Sequence, residues 1–401
     1  MSTPYRKYLY ILIAYITIFA KNLYKMSKRC YNSNTTLYNA KPKGERKTMF
    51  KKLLSTLLIL SMMLISLSAC KKDKDPKESA DNNPDTPPVT YNSYYIPTGV
   101  TYVSEYGTVS IDVTLGENKL PAKEELTAYG EMVYIFNNTY DNNGRLVNRA
   151  ATNPVSSDDN TVHVKYHSET YTYNERGELI KAIAYYDNEN DSFATVEYTY
   201  DAKGNVIKCI MCEDETITYT VDSIYNSNNQ LIKETTTDGS ELYSVCEYSY
   251  DSNGNITEEN CTDPIGTNII KYAYNADGKL ITKHSESTSS GFYKTESTAS
   301  YSYDEKGNLS KVTVTSCSQS LGETTFWDPS DTNTTYTFDI TYYDHGNVKE
   351  VTYTEDEYTA KFTFEYELVT VPFAWQKTTK EETERHFYQI YYNYTLKERN
   401  S

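Results

Sequence analysis

Apolar and polar positions alternate over much of the chain with a period of two residues. Val196, Tyr198 and Tyr200 fall on one face of an extended segment, while Glu197 and Thr199 fall on the other. Successive side chains of a β-strand point to opposite faces, so this alternation predicts half-buried strands. The same pattern recurs on both sides of short polar breaks, which predicts paired strands joined by tight turns.

The polar breaks share one phrase, Tyr-Asp/Asn-x-x-Gly-Asn-Leu, which returns along the chain as an internal repeat. Successive tyrosines of the phrase are 33, 27, 25, 25, 24, 29 and 40 residues apart. The copies are Tyr140–Leu146, Tyr173–Leu179, Tyr200–Val206, Tyr225–Leu231, Tyr250–Ile256, Tyr274–Leu280, Tyr303–Leu309 and a shortened copy, Tyr343–Val348.

Each phrase has the chemistry of a hairpin turn. Asp or Asn at the first turn position can hydrogen-bond the backbone two residues on. Gly three residues later accepts a left-handed conformation, as does Asn229 where it replaces Gly once. We therefore expect a type I turn closed by a left-handed residue. The predicted turn residues are Asp141, Gly144, Gly177, Asp201, Gly204, Asp251, Gly254, Gly278, Asp304, Gly307 and Gly346.

The predicted fold is all-β. A single hairpin buries too little surface to be stable alone, so consecutive hairpins should pair in order. We expect one long antiparallel sheet that twists and curls into an open shell or solenoid, with the Tyr-x-Tyr face on its inner side. Residues 134–350 form the repeats, residues 91–133 an N-terminal β cap, and residues 351–401 a C-terminal β cap.

The repeated phrase resembles the YD repeat of the rearrangement-hotspot (Rhs) proteins and teneurins, over residues 134–350. In the large members of that family such repeats form a β-shell that encloses a toxin or other cargo. Eight units are too few to wrap a cargo of domain size, and no toxin-like extension follows Val348. The resemblance therefore implies the β-hairpin architecture and not toxin delivery.

Residues 49–69 have the layout of a secretory signal peptide, with a basic head at Lys51 and Lys52 and an apolar run from Leu53 to Leu67. That run is too short for a stable spanning helix. Its end, Leu67-Ser-Ala-Cys70, resembles the bacterial lipobox. The resemblance implies cleavage between Ala69 and Cys70 and a diacylglycerol lipid on Cys70. The alternative is an ordinary signal peptide with an incidental cysteine.

A signal peptide normally begins a protein, yet residues 1–48 precede this one. Residues 44–49 can be encoded by a purine-rich run ending in ATG, so we interpret 1–48 as an upstream extension and Met49 as the start. A second anchor at residues 8–20 is the alternative, although that stretch is short for a membrane span. Residues 70–90 are charged and Pro-rich, which predicts a flexible tether.

Composition and charge indicate where the protein is located and which partners are disfavoured. The chain has 42 Tyr and a net charge of -16, and residues 70–401 alone carry 27 Lys/Arg against 54 Asp/Glu. Such acidity repels phosphate backbones, which argues against a nucleic-acid partner. We expect an extracytoplasmic protein of a bacterium, held by its lipid to the cell membrane or the outer membrane.

Candidate chemistry is sparse, and we predict neither a metal nor a cofactor. His163 and His167 are four residues apart, but in a strand or loop rather than on a helix face. His345 falls in a turn. The turn at Asp251 offers oxygen ligands without the spaced acids and terminal Glu of a calcium loop. No nucleophile elbow, zinc-helix motif or phosphate loop is present in the sequence.

The cysteines offer one structural prediction. Cys209 and Cys212 form a C-x-x-C in the second arm of a hairpin, where the spacing puts the thiols on opposite faces and argues against a redox site. Cys246 and Cys261 flank the turn at Asp251. Allowing one residue for a bulge, they face each other as a candidate disulfide, with two small buried thiols as the alternative.

The leading functional prediction is non-enzymatic, namely a displayed β-repeat lipoprotein with a binding or cell-envelope interaction role. Tyrosine ladders could bind glycans or peptides, or could pack only against one another across strands. Two alternatives stay open: an envelope hydrolase acting on glycans through paired carboxylates, and an immunity-like or chaperone-like partner of a secreted protein.

Overall fold

A computed structural model describes residues 92–105, 107–128, 130–152, 168–185, 193–213, 216–289, 293–320 and 334–371. These residues form twenty β-strands. The strands are β1 (Asn92–Ser104), β2 (Gly107–Leu115), β3 (Pro121–Ala128), β4 (Glu131–Tyr140), β5 (Leu146–Thr152), β6 (Ser168–Tyr173), β7 (Leu179–Tyr185), β8 (Phe193–Tyr200), β9 (Val206–Glu213), β10 (Thr216–Tyr225), β11 (Leu231–Asp238), β12 (Glu241–Tyr250), β13 (Ile256–Asp263), β14 (Gly266–Tyr274), β15 (Leu280–Ser289), β16 (Tyr293–Tyr303), β17 (Leu309–Ser320), β18 (Thr334–Tyr342), β19 (Val348–Glu355) and β20 (Tyr358–Val371).

Each strand pairs antiparallel with the next, as the sequence predicts, but the sheet is not open. β1 pairs with β20 along its length, from Asn92 opposite Val371 to Ser104 opposite Ala360. The prediction of an open curled sheet or solenoid is therefore wrong, and the chain closes into a 20-stranded barrel. Closure removes the two rows of unpaired backbone groups that an open sheet would leave at its edges.

The segments expected to cap the repeats belong to the barrel wall. Residues 91–133 contribute β1 to β3 and the start of β4, and residues 351–371 contribute the end of β19 and all of β20. The first and last strands lie side by side and close the ring. Residues 372–401, where we expect further strands, lie outside the described residues.

The repeated phrase forms the connections at one end of the barrel, which we call the turn rim. In the turn at Asp251, the Gly254 amide donates to the Asp251 carbonyl at 3.0 Å. The Asp251 carboxylate accepts from the amides of Asn253 and Asn255 at 2.9 and 2.8 Å. Gly254 has a φ of +83°, and Asn229, which replaces Gly in its turn, has a φ of +66°. The turn residue types therefore match the backbone that they must adopt.

The unit before β19 is not shortened, contrary to our prediction. The Tyr343 amide donates to the Asn347 carbonyl at 2.9 Å, and the Gly346 amide donates to the Tyr343 carbonyl at 2.8 Å. Tyr343 thus occupies the turn position that Asp holds elsewhere, and Tyr342 is the repeat tyrosine. The phrase has full length, with a second tyrosine in place of the aspartate.

The repeat tyrosines fasten neighbouring hairpins at the turn rim. Backbone pairing between β11 and β12 ends at Lys233 opposite Glu247, short of Leu231. There the Tyr250 hydroxyl donates to the Leu231 carbonyl at 2.7 Å, so a side chain satisfies a carbonyl beyond the backbone ladder. We call this contact the tyrosine clasp. The other clasps are Tyr140 to Pro121, Tyr173 to Leu146, Tyr200 to Leu179, Tyr225 to Val206, Tyr274 to Ile256, Tyr303 to Leu280 and Tyr342 to Leu309.

The apolar face of the wall points inward. Phe338, Val351 and Phe362 are fully buried, and they belong to a core cluster that joins β1–β5 to β15–β20. A second cluster, which includes Tyr171 and Tyr198, lies on β5–β10. The inner face is therefore packed along most of the wall, and the polar face is left to the outside.

Replacing Tyr250 by Phe should lower the free energy of unfolding by about 1 kcal/mol, because the ring stays and the hydrogen bond to Leu231 is lost. The measurement is urea unfolding of Tyr250→Phe and of the control Tyr185→Phe, whose ring packs on Phe193. Equal unfolding midpoints for the two variants would show that the clasp does not stabilise the barrel.

Candidate functional site

The outer face of the barrel carries ion pairs between neighbouring strands. Lys181 lies opposite Glu197, and Lys311 lies opposite Asp339. The side chains are between 39% and 65% exposed in the pairs Lys181–Glu197 (2.8 Å), Lys208–Asp222 (3.7 Å), Lys233–Glu247 (3.6 Å) and Lys311–Asp339 (3.3 Å). Such pairs add little stability in water. They do show that the outer face at these positions suits contact with water, because the charges need hydration.

The inner face changes character across β11 to β15. Lys233 and Glu247 face outward, so their strand neighbours Glu234 and Tyr248 face inward. Together with Glu259, Tyr272 and Lys283 they form a half-buried patch that we call the polar inner wall. Tyr248 donates to Glu234 at 2.5 Å, and Tyr272 donates to Glu259 at 2.7 Å. The Lys283 ammonium lies 5.7 Å from the centre of the Tyr272 ring.

Tyr272 of the polar inner wall is a protonated hydrogen-bond donor at neutral pH. Burial raises the pKa of Tyr272 well above its usual range, and the adjacent Glu259 raises it further. On the same strand, burial raises the pKa of the clasp tyrosine Tyr274 to about 12, with the Asp251 charge contributing in the same direction. The carboxylates are acceptors, so the wall offers hydrogen-bonding groups beside aromatic ring faces, which suits recognition of a polar ligand.

The two carboxylates of this wall are on different strands. Glu234 is on β11 and Glu259 on β13, with β12 between them, and each accepts a hydrogen bond from a different tyrosine. General acid–base work on a glycoside needs one carboxyl and one carboxylate that share a substrate. Both carboxylates already accept a hydrogen bond within the wall itself.

A fully buried ion pair lies elsewhere on the inner face. Arg149 and Glu124 are each 1% exposed, with 3.0 Å between guanidinium nitrogen and carboxylate oxygen. Asn138 donates to the second Glu124 oxygen at 2.8 Å, and the Arg149 guanidinium lies 4.0 Å from the centre of the Phe136 ring. Solvent does not reach these groups, so they hold β3, β4 and β5 together rather than meet a ligand.

The structure joins Cys246 and Cys261 in a disulfide between β12 and β13, on the inner side of the wall. Cys209 is buried, whereas Cys212 is half-buried and lies on the opposite face of β9. Burial raises the pKa of the Cys212 thiol, and the nearby Glu197 adds to the effect. A raised pKa disfavours the thiolate that a redox site needs.

Several residues singled out from the sequence lie outside the described residues: Ala69, Cys70, His163 and His167. The structure therefore says nothing of the lipid site or of a metal at the paired histidines. Within the described ranges, no group of three or more His, Cys, Asp or Glu is placed to hold a metal ion.

The Asp251 carboxylate already has partners within its own turn. The side-chain amide of Asn255 is the first cause that lowers the pKa of Asp251, and backbone amides of the same turn add to it. The second oxygen accepts from the Asn255 amide at 2.9 Å. The aspartate thus acts as a turn former, as we expect from its position in the phrase.

The sequence did not predict an aromatic cluster beside the seam where β1 pairs with β20. His345 stacks on Tyr95 of β1 with ring centres 3.9 Å apart and on Tyr343 at 5.0 Å. The Tyr343 hydroxyl donates to the Phe364 carbonyl of β20 at 2.9 Å. The doubled tyrosine at 342–343 is the sequence feature that could have indicated this cluster. It marks the turn in which an aromatic residue, Tyr343, replaces the usual Asp or Asn.

Comparison with known proteins identifies no family. No family model and no curated protein matches the chain. A porin-like protein from Bacteroides uniformis is 12% identical, with a TM-score of 0.32, over 68% of this chain and 98% of its own. A porin-like protein from Bacteroides vulgatus is 10% identical (TM-score 0.27, over 68% and 98%). A protein of unknown function from Bacteroides fragilis is 12% identical (TM-score 0.11, over 43% and 94%).

These TM-scores support no statement about function. Among the described residues, no helix is long and apolar enough to cross a membrane.

Loss of the disulfide should lower the free energy of unfolding by about 3 kcal/mol, because it closes a loop across 15 residues of sequence. The measurement is urea unfolding of the double variant Cys246→Ser/Cys261→Ser. Cys317→Ser is the control, since this free cysteine is half-buried. Unfolding of the double variant at the urea concentration of the control would contradict the expectation.

Proposed function

We propose that this chain is a lipid-anchored, extracytoplasmic protein whose barrel stands in water and serves in binding at the cell envelope. The observation that carries the proposal is the sorting of the two faces: charged pairs point outward, and aromatic and aliphatic side chains point inward. On this proposal the membrane attachment comes from a lipid on Cys70 and not from the wall of the barrel.

The outward ion pairs argue against a wall that faces acyl chains. A barrel that spans a membrane carries an apolar outer band, and one Lys costs about 2–4 kcal/mol at the midplane but only about 0–1 kcal/mol near the interfaces. Here outward lysines and carboxylates occur on β7–β12 and again on β17–β20, which are well separated around the ring. These five pairs all lie close to the turn rim, whereas Lys294 bridges Glu286 and Glu296 further from it, on β15 and β16. The charge away from the rim argues against lipid contact in that sector of the wall.

The lipobox-like end at Cys70 and the tether fit this arrangement. β1 begins at the turn rim, so the tether of residues 70–90 meets the barrel at that end. An extended chain spans about 3.3–3.6 Å per residue, which gives this tether a reach of roughly 70 Å. The barrel could therefore stand well clear of the membrane surface.

The binding role rests on the polar inner wall. Tyr248 and Tyr272 present ring faces and hydroxyl groups beside the Glu234 and Glu259 carboxylates, and all four side chains are half-buried. Glycans and peptides are the ligand classes that such a mixture of rings and acceptors recognises.

The anchor can be tested by replacing Cys70 with Ser in the full chain. We expect the wild type to enter the detergent phase of a detergent–water partition and to incorporate labelled fatty acid. The variant should leave the membrane fraction and stay soluble without detergent. A Cys70→Ser protein that still resists extraction from membranes by alkaline carbonate would contradict the proposal, because the wall itself would then be inserted.

Ligand binding can be tested on glycan and peptide arrays with the purified full-length protein. For any ligand found, we expect Tyr248→Phe/Tyr272→Phe to weaken binding about tenfold, since two hydrogen-bonding groups are lost. Tyr250→Phe is the matched control, because its hydroxyl serves the clasp. Equal weakening by the control would remove the polar inner wall as the site.

A further inference from the structure

Three exposed aliphatic side chains lie at the end of the barrel opposite the turn rim. The side chains of Ile217, Leu242 and Ile265 are 52%, 61% and 59% exposed. Ile217 lies near the start of β10, Leu242 near the start of β12, and Ile265 in the connection between β13 and β14. We call these three residues the aliphatic lip.

The lip residues belong to three consecutive hairpins, which lie side by side in the wall. The Gly239 amide at the tip of the β11–β12 hairpin donates to the Thr218 carbonyl at 3.4 Å, next to Ile217. Neighbouring strands are about 4.8 Å apart, so consecutive hairpins repeat at about 10 Å. The lip is therefore a row of aliphatic groups along one sector of the rim.

The surroundings of the lip are acidic. Asp238, Glu241 and Asp263 lie beside the three aliphatic residues, and the sequence has no Lys or Arg between residues 234 and 270. Elsewhere on the barrel some acids have a basic partner, since Lys294 bridges Glu286 and Glu296, and Lys361 pairs with Glu350. The aliphatic lip therefore combines three strongly exposed aliphatic groups with carboxylates from a stretch of sequence that contains no Lys or Arg.

We propose that the aliphatic lip is a docking surface for an amphipathic helix of a partner protein, whose apolar face is bordered by Lys or Arg side chains. Burial of the aliphatic groups favours association, and the carboxylates favour a partner whose apolar face is bordered by basic side chains. The charge argues against a second copy of this chain, because like carboxylates would face each other. It argues equally against an anionic lipid surface. The aliphatic lip shares no residue with the polar inner wall, so docking there is independent of ligand binding at that wall.

Two synthetic helical peptides can test the lip on the full-length protein. Both carry a leucine face, which one peptide borders with lysines and the other with glutamates. By fluorescence anisotropy, we expect the lysine peptide to bind at least about tenfold more tightly than the glutamate peptide. Ile217→Ser/Leu242→Ser/Ile265→Ser should remove that binding, and Asp238→Asn/Glu241→Gln should weaken it about threefold.

The matched control is Ile207→Ser/Ile224→Ser/Ile281→Ser, which removes three exposed aliphatic side chains at the turn rim (37%, 52% and 38% exposed). It should leave binding unchanged. The proposal is overturned if the two triple variants lose binding equally, or if the two peptides bind alike. It is also overturned if the lip variant instead abolishes self-association in ultracentrifugation or binding to vesicles containing phosphatidylglycerol.

Discussion

The tyrosine clasp is the contact on which the rest of the barrel depends. Near the turn rim, neighbouring hairpins stop pairing through their backbones, and each repeat tyrosine donates its hydroxyl to a carbonyl of the preceding hairpin. In the Tyr250 example this carbonyl belongs to Leu231, the apolar residue that ends the previous phrase. One residue therefore links each unit to the unit before it. This accounts for the strict place of tyrosine at the start of the phrase.

Closure of the ring places the two faces of the sheet in different environments. The inward face packs Phe338, Val351 and Phe362 away from water, while the outward face holds Lys–carboxylate pairs that need water. The seam between β1 and β20 is reinforced by a departure from the repeat, because Tyr343 replaces the turn aspartate and reaches β20. The irregular unit thus stands where the barrel must close on itself.

Two regions of the wall break the sorting of apolar groups inside and balanced charge outside. The polar inner wall places carboxylates and tyrosine hydroxyls on the inward face, and the aliphatic lip places Ile217, Leu242 and Ile265 in solvent. Neither exception is needed for the clasp or for the turns. Positions that depart from the packing pattern are where recognition by other molecules is expected.

Features that depend on neighbours along the chain can be predicted from the amino-acid sequence. Strand period, turn chemistry and the facing of Cys246 and Cys261 all follow from spacing within one hairpin. Closure, the clasp and the seam cluster were decided by tertiary structure, because they join residues such as Tyr95 and His345 that are distant in sequence. The local alternation of apolar and polar residues indicates which residues share a face of the sheet. Whether twenty strands remain open or meet depends on twist and register summed around the whole ring, which no single repeat contains.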